Sequence, residues 1–189
     1  MCIRDSYGIL ILSGTGSSAC GINRSGKSAH SGGWGYLIGD EGGGYWLGQQ
    51  SLKAAANAAD GFKEKTELYQ KIFQHLNISH PDDLISWTYN PETTNRKIAQ
   101  ISELVLAVAS SGDPVASKIV ESGAQHLFQL YLNLVDRLNF IDPPVMFAGG
   151  LLNSETLLQQ LLMKKIGLKD APCPKYSPVA GAALMAQMS

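Results

Sequence analysis

Between Ser13 and Gly48 the chain reads SGTGSSACGINRSGKSAHSGGWGYLIGDEGGGYWLG, with glycines recurring among hydroxyl, carboxylate and indole side chains. Three pieces of the sequence have residue types and spacing that suit ligand chemistry. The first is Ser13-Gly14-Thr15-Gly16-Ser17, directly after an apolar run from Gly8 to Leu12. A turn of this make-up aims successive N–H groups and hydroxyls at phosphate oxygens; the same residues also make an ordinary hairpin turn. It is neither a Walker loop nor a Rossmann GxGxxG opening a helix. The second is Gly32-Gly33-Trp34-Gly35 followed by Gly39-Asp40-Glu41-Gly42. A carboxylate accepts hydrogen bonds from sugar hydroxyls, and an indole offers a flat apolar face with one N–H. The competing roles are a core position for Trp34 and a helix cap for Asp40; the glycine-dense setting of Asp40 favours ligand contact. The third is Ala148-Gly149-Gly150-Leu151-Leu152-Asn153-Ser154, a strand–glycine–helix junction. There a flat base can lie on bare backbone while a helix N-terminus favours phosphate, although many such turns serve packing alone.

These pieces need a scaffold, and the flanking pattern supplies one. Tyr7–Leu12, Ser18–Arg24 and Lys27–Ser31 read as three strands of an antiparallel meander whose first turn is the Gly-Thr-Gly loop. A helix is expected over 44–59, with Asp40 or Glu41 at its start complementing the helix dipole. Further helices are expected over 64–76, 81–87 and 94–110. Asp113-Pro114 is an N-cap with proline at the first helical position. It opens the longest helix, with Ala116, Ile119, Val120, Leu127, Tyr131, Leu134 and Leu138 on one face. Pro143–Phe147 reads as a strand, and Asn153 or Ser154 as the cap of a helix running to Ile166 with Gly167 past its end. A short strand near Cys173 and a last helix, Val179–Met188, complete a mixed α/β layer structure. Asn90-Pro91-Glu92-Thr93 marks an exposed loop.

The 189 residues are enough for one sizeable core, and 44% hydrophobic with 16% charged residues describes a folded globular chain rather than a disordered one. A net charge of −1 and no Lys/Arg cluster argue against nucleic acid or an anionic membrane as the main partner. Cys2, Cys20 and Cys173 are too few and too far apart for a disulfide framework or zinc spacing, and His30, His75, His80 and His126 share no ligand motif. No protein-held metal is therefore expected, and the cysteine usage suits a reducing, cytoplasmic compartment. No run approaches the length of a membrane span. Met1–Ser6 is no secretory signal and meets a strand almost at once, so residues 1–6 are expected to be non-native or a truncated start.

The tandem order of the motifs adds a resemblance. ILSGTGSSACGIN, GGWGYLIGDEGGGYWLG, VMFAGGLLNS and SPVAGAALMA together resemble the C-terminal lobe of the N-acetylglucosamine kinase family. That family lies in the BadF/BadG/BcrA/BcrD ATPase group of the sugar kinase/Hsp70/actin superfamily. The likeness runs from about Tyr7 to the C-terminus, and WGxxxGDEG is its most specific part. It implies a ribonuclease-H-like (actin-like ATPase) α/β lobe over residues 7–189, with helical insertions. It implies that Gly14, Thr15 and Gly16 approach ATP phosphates, and that Gly149 and Gly150 form the adenosine loop. By the same likeness Ser17, Gly33, Trp34, Gly35 and Asp40 contact the amino sugar. Mg²⁺–ATP use and homodimerisation of the full-length protein are also implied.

Such kinases carry a first phosphate loop of Asp-Gly-Gly-x-x-Thr type and a proton-accepting aspartate on an N-terminal lobe. The sequence shows no strand–Asp-Gly-Gly–strand element, since Asp60-Gly61 follows a helical segment. The catalytic aspartate is expected upstream of Tyr7, outside this chain. Two other functions remain open: a BadF-type ATPase activator of a dehydratase, for which Cys20 and Cys173 lack the spacing of a cluster-bridging pair, and a non-catalytic sugar-sensing domain.

Overall fold

A computed structural model describes residues 7–62, 65–153 and 155–172. Strands β1 (Gly8–Ser13), β2 (Ser17–Ile22) and β3 (Ser28–Gly32) form the expected antiparallel meander. A fourth strand, β4 (Val145–Ala148), lies on the other side of β1, giving the order β3-β2-β1-β4. Side chains alternate across a strand, and Ile9 and Ile11 are the buried set of β1, while Leu12 is 40% exposed. The turn at Gly14–Gly16 sets the hairpin register, with Ser13 opposite Ser17. β4 pairs with β1 in parallel, Leu12 opposite Ala148. The two strands therefore finish side by side, and the residues after them, Gly14–Gly16 and Gly149–Gly150, emerge together. The carboxyl ends of parallel strands are where open α/β sheets bind ligands.

Seven helices lie among the described residues: α1 (Gly44–Ala59), α2 (Leu68–Leu76), α3 (Pro81–Thr88), α4 (Asn95–Ser110), α5 (Pro114–Arg137), α6 (Gly150–Asn153) and α7 (Leu157–Ile166). Four boundaries follow sequence signals closely. Thr94 caps α4 through the Lys97 amide, Pro81 and Pro114 open α3 and α5, and Gly167 ends α7 at φ 88°.

Three expectations are corrected. The N-cap of α1 is Gly43, and no acidic residue stands in its first turn, so Asp40 and Glu41 do not charge this helix end. The α1 donors go elsewhere: Gly44 and Tyr45 donate their amides to the carbonyls of Gly14 (2.7 Å) and Thr15 (2.9 Å). Helix α2 starts four residues later than its apolar pattern suggests, because Thr66 and the Glu67 amide are bound to the Asp113 carboxylate at 3.1 and 2.7 Å. The helix after β4 is split. Gly150–Asn153 forms one short turn directly after Gly149, and Thr156, rather than Asn153 or Ser154, caps α7 through the Gln159 amide at 3.1 Å. The strand expected near Cys173 and the helix expected over 179–188 lie outside the described residues.

Helix α5 packs on the meander with Ala116, Val120, Leu127 and Leu134 fully buried, joined by Leu138 just past its end. Each such leucine stabilises the fold by about 1.5–3 kcal/mol relative to exposure. Helices α1 and α4 cross closely on glycines. A methyl at Gly44 would stand 3.2 Å from the Ala99 carbonyl oxygen, and one at Gly48 would stand 3.0 Å from the Ile98 carbonyl carbon. These two glycines, one turn apart, let α4 rest its first turns on the start of α1. That contact carries α4 to the mouth of the Thr15 turn.

Candidate functional site

The Ser13–Ser17 turn is clamped from behind. Ser13 donates its hydroxyl to the Gly42 carbonyl and Ser17 donates to the Glu41 carbonyl, each at 2.7 Å. With the two α1 amides on Gly14 and Thr15, loop 40–45 grips the turn at four points. The Thr15 side chain is exposed, and its amide and hydroxyl have no partner among the described residues. A rigid turn that leaves one N–H and one O–H unspent is preorganised for an anion, since binding costs little further ordering.

Gly149 joins the second loop to the first. Its φ is 91°, and a methyl there would stand 2.5 Å from the Ser13 carbonyl carbon and 2.9 Å from the Gly14 nitrogen. Only a glycine fits this left-handed, backbone-on-backbone position. A cleft of about 680 Å³ opens between the two loops and α4. Gly14, Thr15 and Gly44 line one end, Gly150, Leu151 and Thr156 one wall, and an α4 face with Arg96, Gln100 and Glu103 the other. The cleft suits a flat ring with an anionic tail by size and shape, within the range of small-molecule sites.

Asp40, Ser17 and the segment from Gly33 gather at the Gly16–Ser17 end of the turn. The Asp40 carboxylate presses against Gly16: a methyl on Gly16 would stand 2.8 Å from the Asp40 Cγ. Asp40 is held at φ 62°, its carbonyl accepting from the Gly43 amide at 2.9 Å. Aspartate tolerates this left-handed conformation better than most residues. The Gly33 amide donates to the Ser17 carbonyl at 3.0 Å, which anchors the Gly33–Trp34–Gly35 segment beside the turn. Trp34 is 74% exposed, so it has no core role. It borders a separate groove of about 610 Å³ with His30, Leu130, Asn133 and Arg137. The structure thus unites Gly14, Thr15 and Gly150 in one cleft, places Gly16 and Asp40 together beside it, and sets Trp34 farther out. Ser17 is buried, with its hydroxyl already given to Glu41.

Sequence reasoning missed Arg96, Gln100, Glu103 and Thr156. The first three stand on α4 at i, i+4 and i+7, but exposed polar residues on a helix read as a solvated face. Among the described residues no three His, Cys, Asp or Glu side chains converge to hold a metal ion. The donor set does not make a protein-held cation site, and a magnesium ion here would depend on phosphate and water oxygens. No helix among the described residues is long and apolar enough to cross a membrane.

The strand order, the phosphate-type hairpin and the glycine-joined second loop define an actin-like ATPase lobe of the kind found in sugar kinases. The chain belongs to the BadF/BadG/BcrA/BcrD ATPase family, whose sequence profile matches residues 1–186. It is 35% identical over 189 residues to the N-acetyl-D-glucosamine kinase of Dictyostelium discoideum, covering 95% of this chain and 59% of the relative. It is 37% identical over 168 residues to the N-acetylmuramic acid/N-acetylglucosamine kinase of Clostridium acetobutylicum, covering 88% of this chain and 55% of the relative. The crystal structure of a Chromobacterium violaceum protein to which N-acetylglucosamine kinase activity has been ascribed superposes with TM-score 0.76 at 27% identity. That superposition covers 95% of this chain and 59% of the other. The chain therefore spans less than two thirds of the length of each of these proteins.

Proposed function

We propose that this chain is the C-terminal, nucleotide-gripping lobe of an ATP-dependent kinase of N-acetylglucosamine or a related amino sugar, acting at the 6-hydroxyl. The observation that carries this reading is the position of the Thr15 turn. The 680 Å³ cleft is lined by Gly14 and Thr15 of the turn, and the Asp40 carboxylate stands against the next residue, Gly16. A phosphate held at Thr15 then lies between a nucleoside in the cleft and a sugar at Asp40. Phosphoryl transfer needs that in-line order, together with charge neutralisation around the transferred group.

In this proposal the Thr15 amide and hydroxyl and the glycines on either side hold phosphate oxygens, and Gly149–Gly150 carry the adenosine. Asp40 accepts hydroxyls of the sugar, with Gly33, Trp34 and Gly35 forming its outer edge. Ser17 contributes by fixing Glu41 beside Asp40. Magnesium, bound with ATP, would lower the charge of the phosphate tail. The proposal assigns both the first phosphate loop, of which this sequence holds no Asp-Gly-Gly, and the proton acceptor for the sugar hydroxyl to a partner lobe. Homodimerisation belongs to the same proposal for the longer protein.

Calorimetric titration of the chain with ATP and with N-acetylglucosamine tests the reading. ATP binding that Thr15→Ala weakens about tenfold supports it, because charge-assisted hydrogen bonds to an anion are the strong ones. Sugar binding abolished by Asp40→Ala supports the second half. Absence of ATP binding, or phosphoryl transfer by this chain above the Thr15→Ala background, contradicts the proposed division of labour.

A further inference from the structure

Five side chains of the cleft carry polar atoms: Arg96, Gln100, Ser102 and Glu103 on the α4 wall and Thr156 across from it. Two of these are already spent. Ser102 donates to the Ala99 carbonyl at 2.6 Å, and Thr156 donates to the Leu151 carbonyl at 2.7 Å while accepting from the Gln159 amide. Arg96, Gln100 and Glu103 have no side-chain partner among the described residues. They are exposed to the cleft and held on a rigid helix.

Their order along the cleft follows from one contact. Ala99 packs on Gly44, and the Gly44 amide donates to Gly14, so the Ala99 level of α4 is the phosphate end. Leu106 stands seven residues, about 10 Å, farther along the helix axis. Glu103 lies between them, one turn past Ala99. An ionised carboxylate only accepts hydrogen bonds, and it repels phosphate. What it faces must therefore carry donors, and in a nucleotide lying along this cleft the vicinal ribose hydroxyls offer two donors to two carboxylate oxygens. A carboxylate serves the ribose in the same chemical role in dinucleotide sites of unrelated fold. Arg96, seven residues earlier at the other end, is the cation of this lining and suits the anionic tail.

We propose that Glu103 is a specificity residue that makes the cleft select ribonucleotides over deoxyribonucleotides, with Arg96 attracting the phosphate tail. The inference rests on the nucleotide assignment above and adds to it the part of the nucleotide that is read. Tripolyphosphate as a probe separates a bare polyanion site from a nucleotide site.

The experiment is calorimetric titration of the 189-residue chain with ATP, 2′-deoxy-ATP and inorganic tripolyphosphate. Wild type is expected to bind ATP about tenfold more tightly than 2′-deoxy-ATP, the loss typical of a hydrogen bond to a charged group. Glu103→Ala should erase that preference while leaving tripolyphosphate affinity equal or higher, and Glu103→Gln should fall between. Arg96→Ala should weaken all three probes by a similar factor. Equal affinity of wild type for the two nucleotides overturns the inference, as does an equal loss of both in Glu103→Ala. In those cases ATP still binds, and the nucleotide assignment stands. Failure of ATP and tripolyphosphate alike overturns the assignment and the inference together. All three variants replace exposed side chains, and unchanged circular dichroism confirms that each is folded.

Discussion

The Asp40 carboxylate rests on the α-carbon of Gly16, so the turn and the acidic segment touch with no room for a methyl group between them. Loop 40–45 reaches that point because Ser13, Ser17, Gly14 and Thr15 all hydrogen-bond its backbone. Gly43 completes the joint, since a methyl there would stand 2.6 Å from the Gly16 carbonyl carbon. The turn and the loop therefore behave as one rigid body, and a displacement of either is felt by both.

Gly16→Ala tests this contact. The new methyl forces the Asp40 carboxylate aside, a local cost of about 1–3 kcal/mol for overpacking. Sugar affinity should drop about tenfold or more, because a hydrogen bond to a charged group is removed from its register. Titration with N-acetylglucosamine and thermal unfolding separate the two effects. A variant with wild-type sugar affinity would show that Asp40 does not act from this position.

Gly149→Ala strikes the second joint. Alanine at φ 91° is strained, and its methyl meets the Ser13–Gly14 backbone, which has no flexible end to yield. The combined cost is expected to be about 3 kcal/mol or more in urea unfolding. Gly150→Ala, with no atom within 4 Å of the added methyl, is the control and should change stability by less than about 1 kcal/mol. Similar losses in the two variants would show that the close approach at Gly149 carries no stability.

Asp113 joins two distant segments. Its Oδ1 accepts from Val115 and Ala116 amides at 3.0 and 2.8 Å and from the Thr66 hydroxyl at 3.1 Å, and its Oδ2 accepts from the Glu67 amide at 2.7 Å. Asp113→Ala removes a helix cap and leaves further donors unmatched in a largely buried place, for a loss of about 2–4 kcal/mol. Asp113→Asn keeps one acceptor oxygen and should recover part of it. Urea unfolding monitored by circular dichroism measures both.

Acid should fray α3 before the core yields. The His80 and Ser79 amides, at 3.0 and 3.3 Å, hold the Asp83 carboxyl below the usual carboxylate range. A lowered folded value means that this stabilisation is present at pH values above the ordinary carboxylate range. It is lost as pH falls through that range and below it. Because Asp83 is only partly covered and bonds the amides just before its own helix, the effect is local to the helix start. Amide exchange at Ser79–Asp83 should accelerate on acidification, and Asp83→Ala should show the fast rates already at neutral pH. Identical pH profiles for the two chains would remove Asp83 from this role.

Much of the frame was legible because it depends on neighbours in sequence. Proline and its capping residue start α3 and α5, Gly167 ends α7, and the Gly14–Gly16 turn folds β1 onto β2 with residues a few places apart. The glycine loops announced themselves in the same way, since a bare backbone is a property of the residue itself. The starts of α2 and α7 were not legible, because Asp113 reaches back more than forty residues to Thr66 and Glu67, and because Gly150–Asn153 forms a separate turn that leaves the α7 cap to Thr156.

The chain's own residue order determined the meander, the anion-suited turn at Thr15 and the family to which it belongs, because each is written in local spacing. Tertiary structure decided that Gly149 seals against Ser13, that Asp40 meets Gly16, and that Arg96 and Glu103 become the wall of a cleft. The last of these required α4 to settle on Gly44 and Gly48, a contact between backbones about fifty residues apart that no pattern along α4 records. Packing of helix on helix turned an exposed polar stripe into one wall of a cleft.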